Sequence, residues 1–245
     1  QRGPTGNTQV LIDNLCKGLD RGGADFIIID LSKKNIAPCT ACDNCHKTGN
    51  CIIDDDVAEI FETLAESDLT VFAFPIYSFH FPAKLKMLFE RMYALGDNKD
   101  LLVSNHGLVF HQLDKSICSK PYAMIVNYGN IEYAAAKSSI DFFKSYTEFT
   151  DAPNVGILQR NTMKILAHNQ SSNLKKKFPN IDQILKAYQT AGFELASSGK
   201  ISTKTQAIAN QEIIPLPLFR LLKHIKIKWF KSKLVKIGKK ISSDN

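Results

Sequence analysis

Four cysteines, Cys39, Cys42, Cys45 and Cys51, fall in the spacing C-x2-C-x2-C-x5-C. Thiolates two residues apart let a tight loop wrap one iron–sulfur cubane, and a fourth thiolate after a turn closes the cage. Gly49 supplies a residue that permits the backbone reversal leading to Cys51. A structural zinc site usually pairs two C-x2-C knuckles across a longer spacer, so three cysteines in consecutive register suit zinc less well. A loop of reduced thiols without metal is a further reading. Disulfides are disfavoured, because the chain is long, rich in apolar residues and shows no export signal. The two other cysteines, Cys16 on a helix and Cys118 in an irregular stretch, read as packing residues.

Three further segments carry binding chemistry. Arg2-Gly3-Pro4-Thr5-Gly6-Asn7-Thr8 precedes the first expected helix. Free amides at a helix N-terminus attract phosphate, and small polar residues leave the approach open, although the same residues also serve as simple caps. Pro75-Ile76-Tyr77-Ser78-Phe79-His80 and Asn127-Tyr128-Gly129-Asn130 each follow an expected strand. In open α/β sheets, ligands bind beyond the carboxyl ends of the strands, so these loops should meet at one crevice. An aromatic loop and a Gly/Asn loop suit a flat ring, by stacking and backbone hydrogen bonding. Tyr77 and Phe79 read equally as packing aromatics, and His80 as an exposed loop residue. No arrangement of His, Asp and Ser suggests a catalytic side chain.

The elements that must position these groups alternate along the chain. Thr8 to about Gly22 reads as an amphipathic helix with Leu11, Ile12, Leu15 and Leu19 on one stripe. Asp25–Asp30 reads as a buried parallel strand. The cysteine segment, Ala37–Ile53, follows. A helix near Asp56–Ser67 begins at Asp54-Asp55-Asp56, where carboxylates could cap free amides. Leu69–Phe74 reads as a strand and Pro82 to about Leu95 as a helix. Asp97–Ser119 shows no regular pattern. Tyr122–Asn127 and Asn154–Leu158 read as strands, with helices near Ala134–Phe149 and Ile181–Ser197. The alternation predicts an α/β fold with a parallel sheet.

The chain has 245 residues, 44% hydrophobic and 22% charged, as in ordinary globular proteins. It contains no run of 18 apolar residues. The net charge of +7 is concentrated: Leu216–Asn245 carries nine Lys and Arg against Asp244 alone. The body is therefore near neutral, and no nucleic-acid partner is indicated. Within the tail, Leu218, Leu222, Ile225 and Trp229 recur at helical spacing. Such a cationic amphipathic helix could lie on an anionic membrane surface, or pack on a partner subunit with its lysines solvated.

The order G-N-T before a helix, P-C-x-x-C-x-x-C-x-x-x-G-x-C-x-x-D-D, then P-I-Y ahead of P-A-K-L-K-x-x-x-E-R resembles the NAD(P)H-dependent FMN reductase family. The cysteines are similar to those of its iron–sulfur flavoproteins. The resemblance runs from Arg2 to about Ser202. It implies a flavodoxin-like doubly wound sheet in the order 2-1-3-4-5, with the central first strand apparently missing ahead of Gln1. It divides the chain into an FMN-binding domain over 1–202, with the cysteine loop at 37–53, and a basic helical extension over 203–245. It implies FMN held by Thr5, Gly6, Asn7, Thr8, Pro75, Ile76, Tyr77, Ser78, Asn127 and Gly129. It implies a [4Fe–4S] cluster on Cys39, Cys42, Cys45 and Cys51, and NAD(P)H as co-substrate. It also implies a homodimer or homotetramer. A small-molecule or protein electron donor and acceptor are expected, in the cytoplasm, with peripheral membrane contact where the basic tail meets lipid. A cluster-free FMN, quinone or nitro reductase and a non-enzymatic electron carrier are the alternatives. Gly3 stands where the family usually has Arg, and Ser78-Phe79-His80-Phe81 replaces its usual polar residues.

Overall fold

The computed structural model describes residues 6–163 and 178–213, together with Ser232. The phosphate-loop residue Thr5 and nearly all of the basic tail lie outside the described residues. Five strands and eight α-helices are described. In chain order they are α1 Asn7–Arg21, α2 Cys45–Thr48, α3 Val57–Glu66, β1 Thr70–Pro75, α4 Ala83–Arg91, β2 Gly96–Val103, β3 Val109–Leu113, α5 Lys115–Cys118, β4 Tyr122–Asn127, α6 Lys137–Thr150, β5 Asn154–Arg160, α7 Ile181–Ser198 and α8 Thr203–Ala209. Short 3-10 turns at Met92–Leu95 and Tyr133–Ala136 extend α4 and introduce α6.

Strands β1, β4 and β5 form a parallel sheet in that order, with β4 central and buried at every position. A run such as Tyr-Ala-Met-Ile-Val-Asn can be buried on both faces because helices cover both. One face packs against α1 and α7 through Leu11, Leu15, Ile184, Tyr188 and Leu195. The other packs against α3, α4 and α6 through Ile60, Leu85, Leu88 and Phe143. There the rings of Phe72, Phe74, Phe81, Phe89 and Phe143 meet at centroid distances between 5.1 and 6.1 Å, in mostly tilted or edge-on pairs.

The two margins of the sheet differ. Along β5, side-chain amides of α8 replace a neighbouring strand: Ile157 N donates to Gln206 Oε1 at 2.9 Å, and Gln159 N to Asn210 Oδ1 at 2.7 Å. Asn210 Nδ2 returns a bond to Ile157 O at 2.9 Å. The fully buried Arg160 adds bonds to the Ala209 and Gln211 carbonyls. This margin is thus closed against edge-to-edge pairing. Residues 203–209 are accordingly integral to the sheet.

The margin of β1 has no ladder partner among the described residues. The segment 25–30, expected as a buried strand, is extended but pairs with nothing, and Phe26, Ile27 and Ile28 are 44, 75 and 55% exposed. The expectation of a buried strand is corrected for a physical reason. A cavity of about 1620 Å³ lies between this segment and β1, lined by Ile12, Leu15 and Leu19 of α1 and by Ile60 and Leu64 of α3. Apolar content does not make a buried strand without a ladder, and this segment has none among the described residues. Strands β1, β4 and β5, adjacent and parallel in chain order, accord with the 3-4-5 run of the order 2-1-3-4-5.

Asp97–Ser119 is also more regular than its sequence suggested. β2 and β3 form an antiparallel ribbon with an irregularity between Asp97 and Leu101, and α5 follows. The bulge breaks the period-2 alternation that would have marked the strand.

Helix α1 is seated by close backbone contact. A Cβ on Gly192 would lie 2.0 Å from the Leu15 carbonyl oxygen, and one on Gly18 1.9 Å from the Gln189 carbonyl oxygen. Gln189 Nε2 bonds Asn14 Oδ1 across the same crossing at 2.9 Å. Gly192→Ala must push α1 off α7, so it should cost about 1–3 kcal/mol in urea unfolding, in line with overpacked cores. An unchanged midpoint would contradict this packing.

Candidate functional site

The sheet places three loops at its carboxyl end. Helix α1 opens there with Gly6 as an extended N-cap that offers no side-chain capping bond, and its first turn carries no acid. Its first amides therefore remain available to an anion. Thr8 Oγ1 donates to Asn127 Oδ1 at 2.9 Å, tying this turn to the end of β4. Asn127 is buried, and Ile76 N donates to its carbonyl at 2.8 Å. Gly6, Asn7, Thr8, Pro75, Ile76, Tyr77, Asn127 and Gly129 all line one cavity, continuous with the slot beside β1. A Cβ on Gly129 would meet no atom within 4 Å, so the loop borders open space. Of the expected cofactor contacts, Ser78 does not line this cavity and stands at the apex of a turn.

That turn is strained. Tyr77 and His80 exchange backbone bonds of 2.8 and 3.0 Å across it, while Ser78 and Phe79 take φ values of +48° and +67°. Glycine or asparagine normally fills such positions, so a bulky Phe at positive φ is an outlier of the kind that collects at functional sites. The result is that Tyr77 and Phe79 stand 53 and 66% exposed at the rim. His80 packs against Phe81 at a centroid distance of 4.1 Å.

The cysteine segment forms a second site. Cys39, Cys42, Cys45 and Cys51 line one small pocket with Asp43, Arg91 and Tyr93. The single-turn α2 starts at Cys45 and ends at Gly49, whose φ of +82° turns the chain toward Cys51. Burial raises the Cys45 thiol, the His46 amide opposes this, and the nearness of Cys51 and Cys39 adds to the rise. The exposed Cys42 is lowered by hydrogen bonds from the Asn44 amide and the Thr40 hydroxyl. Among the described residues, no three His, Cys, Asp or Glu gather closely enough to ligate a single ion. Cys118, by contrast, is buried under α6, and burial pushes its thiol up to about 12. Cys16 is half-buried on α1.

What closes the cysteine loop is a pair that the sequence did not single out. Arg91, at the end of α4, donates from Nη1 to Asp55 Oδ2 at 2.6 Å, with both side chains nearly inaccessible to solvent. Asp55 Oδ2 also accepts from Ala37 N at 2.9 Å, and its Oδ1 from Val57 N at 3.1 Å. The guanidinium reaches the Ala37 carbonyl at 3.3 Å and the Ile53 carbonyl at 3.5 Å. One ion pair thus holds both ends of the loop. Asp56 bonds Asn35 N at 2.7 Å instead of capping α3, so the acidic run ties loops together more than it caps the helix. The only sequence signal for Arg91 was its place in the motif P-A-K-L-K-x-x-x-E-R.

The family model for NADPH-dependent FMN reductase matches residues 2–148. An iron–sulfur flavoprotein of Methanosarcina thermophila is 42% identical over 73 residues, which are 30% of this chain and 38% of that one. Another, from Methanocaldococcus jannaschii, is 35% identical over 88 residues, 36% of this chain and 46% of that one. The matches span less than half the length of these relatives. A solved NAD(P)H:quinone oxidoreductase from Methanothermobacter marburgensis superposes with a TM-score of 0.53 at 16% identity, covering 78% of this chain and 89% of that one. It shares the flavodoxin-like fold.

Burial opposes ionisation of Asp55, but the Ala37 amide, the Arg91 guanidinium and the Val57 amide outweigh it and hold the carboxyl below its usual range. A carboxyl so lowered contributes stability that is complete above the unfolded value of about 3.9 and is lost as pH falls through the folded value. Asp55→Asn should therefore remove part of the acid slope below about pH 4. It should also lower stability at pH 7 by about 3–5 kcal/mol, because Arg91 is left buried without its counter-ion. Denaturant unfolding at several pH values measures both, and an unaltered acid slope would contradict the pairing.

Proposed function

The chain belongs to the NADPH-dependent FMN reductase family, and from that premise we propose that it is an iron–sulfur flavoprotein that oxidises NAD(P)H and passes the electrons onward. The observation that carries this reading is the pairing of two sites on one chain. One is an anion-receptive crevice at the carboxyl end of the sheet, and the other is a pocket walled by four thiols. The relatives named iron–sulfur flavoprotein support it.

Bound FMN would supply an acceptor for hydride from NAD(P)H and a donor of single electrons. In this proposal the first-turn amides of α1, with Thr5, Gly6, Asn7 and Thr8, hold its phosphate. The Thr8–Asn127 bond keeps that turn in register with the end of β4. Pro75, Ile76 and Tyr77 form the wall against the ring, with Ser78 at the apex of the turn that follows, and Asn127 and Gly129 border it on the other side. The exposed rings of Tyr77 and Phe79 offer stacking surface at the rim. No side chain must move a proton for hydride transfer, so the residues' work is binding, orientation and water exclusion.

The donor set at the second site fits a [4Fe–4S] cluster. It consists of four thiols from one loop, and two buried polar atoms around it, Arg91 Nε and His46 Nε2, lack hydrogen-bond partners. Cys39, Cys42, Cys45 and Cys51 would hold the cluster, which would supply one-electron exchange with the flavin or with a protein or small-molecule acceptor. A homodimer or homotetramer in the cytoplasm belongs to the same proposal, as does membrane contact through the basic tail. Among the described residues, no helix is long and apolar enough to cross a membrane.

Anaerobically purified protein should contain about four iron and four acid-labile sulfide per FMN. Flavin without iron would instead establish the cluster-free reductase. Thr8→Ala should weaken FMN binding roughly 3- to 10-fold, read by recovery of free-flavin fluorescence, since one hydrogen bond contributes about 1 kcal/mol. Unchanged affinity would contradict the assigned phosphate site.

A further inference from the structure

We propose that Arg91 is a positioning residue for the cluster, donating a hydrogen bond to the Cys51 sulfur and so raising the potential at which the cluster accepts an electron. This rests on the iron–sulfur reading above. The argument starts from the donor inventory of the guanidinium. Its Nη1 serves Asp55 and the Ala37 carbonyl, and its Nη2 serves the Ile53 carbonyl. Its Nε is buried and has no hydrogen-bond partner, sulfur included. A buried N–H left unmade is costly, and native proteins rarely tolerate it without a reason. Arg91 and Cys51 line the same pocket, and the Cys51 thiol is among the groups that favour the charged form of the guanidinium. Arg91 is also the only cationic side chain lining the thiol pocket among the described residues, facing the acidic Asp43.

The electrostatic consequence has a definite sign. A cubane carrying four thiolates is an anion and becomes more negative on reduction. A charged donor aimed at a ligand sulfur stabilises the reduced form more than the oxidised form. Asp55 offsets part of the positive charge, but it lies on the loop-closing side of the fork, bonded to the Ala37 and Val57 amides. The pair therefore does two jobs with different groups of one side chain. Nη1 and Nη2 close the loop, and the unpartnered Nε is the donor the proposal assigns to Cys51 once the cluster is bound. Lysine cannot reproduce this, because it lacks the planar fork that serves several acceptors at once.

The test uses cluster-loaded, FMN-containing protein under anaerobic conditions, titrated electrochemically and followed by electron paramagnetic resonance. Arg91→Lys should keep iron and sulfide content while the reduced fraction at a fixed ambient potential falls about tenfold, a shift of about 59 mV for a one-electron couple. A structural role alone would lower stability or iron content and leave the potential of the loaded protein where it was, and that result would overturn the proposal. If the variant does not load, resonance Raman spectra of the wild-type cluster in H2O and D2O decide. An isotope shift of the Fe–S(Cys51) stretch that is lost in Arg91→Met protein supports the bond, and a stretch that shifts equally in both proteins, or not at all in wild type, overturns it. Wild-type protein that binds FMN but no iron would sink the cluster reading itself, and the role of Arg91 with it.

Discussion

The Asp55–Arg91 ion pair is the contact on which the cysteine site depends. The two residues are 36 apart in sequence and meet at 2.6 Å inside the protein. Between them they bind Ala37 on the entering side of the loop, Ile53 on the leaving side and Val57 at the start of α3. Desolvating a carboxylate and a guanidinium costs several kcal/mol, and only good geometry with further hydrogen bonds offsets it. Here Asp55 accepts from the Ala37 and Val57 amides as well as from Arg91, and Arg91 reaches two loop carbonyls, which leaves only part of the guanidinium unpaired. The arrangement contributes little net stability compared with an apolar pair of the same volume. What it supplies is a fixed loop closure, so that four thiols face one pocket from a segment that is otherwise mostly exposed and irregular.

The flavin crevice depends on a different constraint, the seating of α1. Two glycines let α1 and α7 approach backbone to backbone, and the Asn14–Gln189 bond fixes their register. That fixes the start of α1 against Asn127 at the end of β4. The mouth of the crevice is thus set by the sheet and by one helix crossing. The strained turn at Ser78 and Phe79 is the exception, and its cost is spent on keeping two aromatic rings in solvent at the crevice mouth. The contrast between the sheet margins has the same logic. Side-chain amides of α8 close the β5 margin, whereas the β1 margin faces a slot lined by apolar side chains from α1 and α3.

Much of this was legible in the sequence. Helical stripes such as Leu11, Leu15 and Leu19 are local signals, and so is the apolar run of β4. Both elements form where expected. The three binding loops were legible because each follows a recognisable strand or precedes a helix, and the sheet brings them together without further information. The segment 25–30 reads as a strand from its apolar content alone, whereas a strand also needs a ladder, and none forms there among the described residues. The β2–β3 ribbon was hidden by a bulge that breaks the alternation. Arg91 was hidden more deeply. A Glu-Arg pair ending an amphipathic helix reads as a solvated charge pair, and nothing within its own helix announces that Arg91 turns inward to Asp55. Its neighbour Glu90 pairs instead with Lys86 on the surface. Long-range electrostatic pairs of this kind have no periodicity, so only the folded chain reveals them.

The central claim is that the pocket walled by Cys39, Cys42, Cys45 and Cys51 is an iron–sulfur site serving a flavin. Anomalous diffraction at the iron edge, on crystals grown anaerobically from FMN-containing protein, tests it most directly. The account predicts one strong iron peak per chain, enclosed by these four sulfurs beneath Arg91. Ordered flavin with four free thiols and no iron peak, or a peak at the zinc edge in its place, would contradict it.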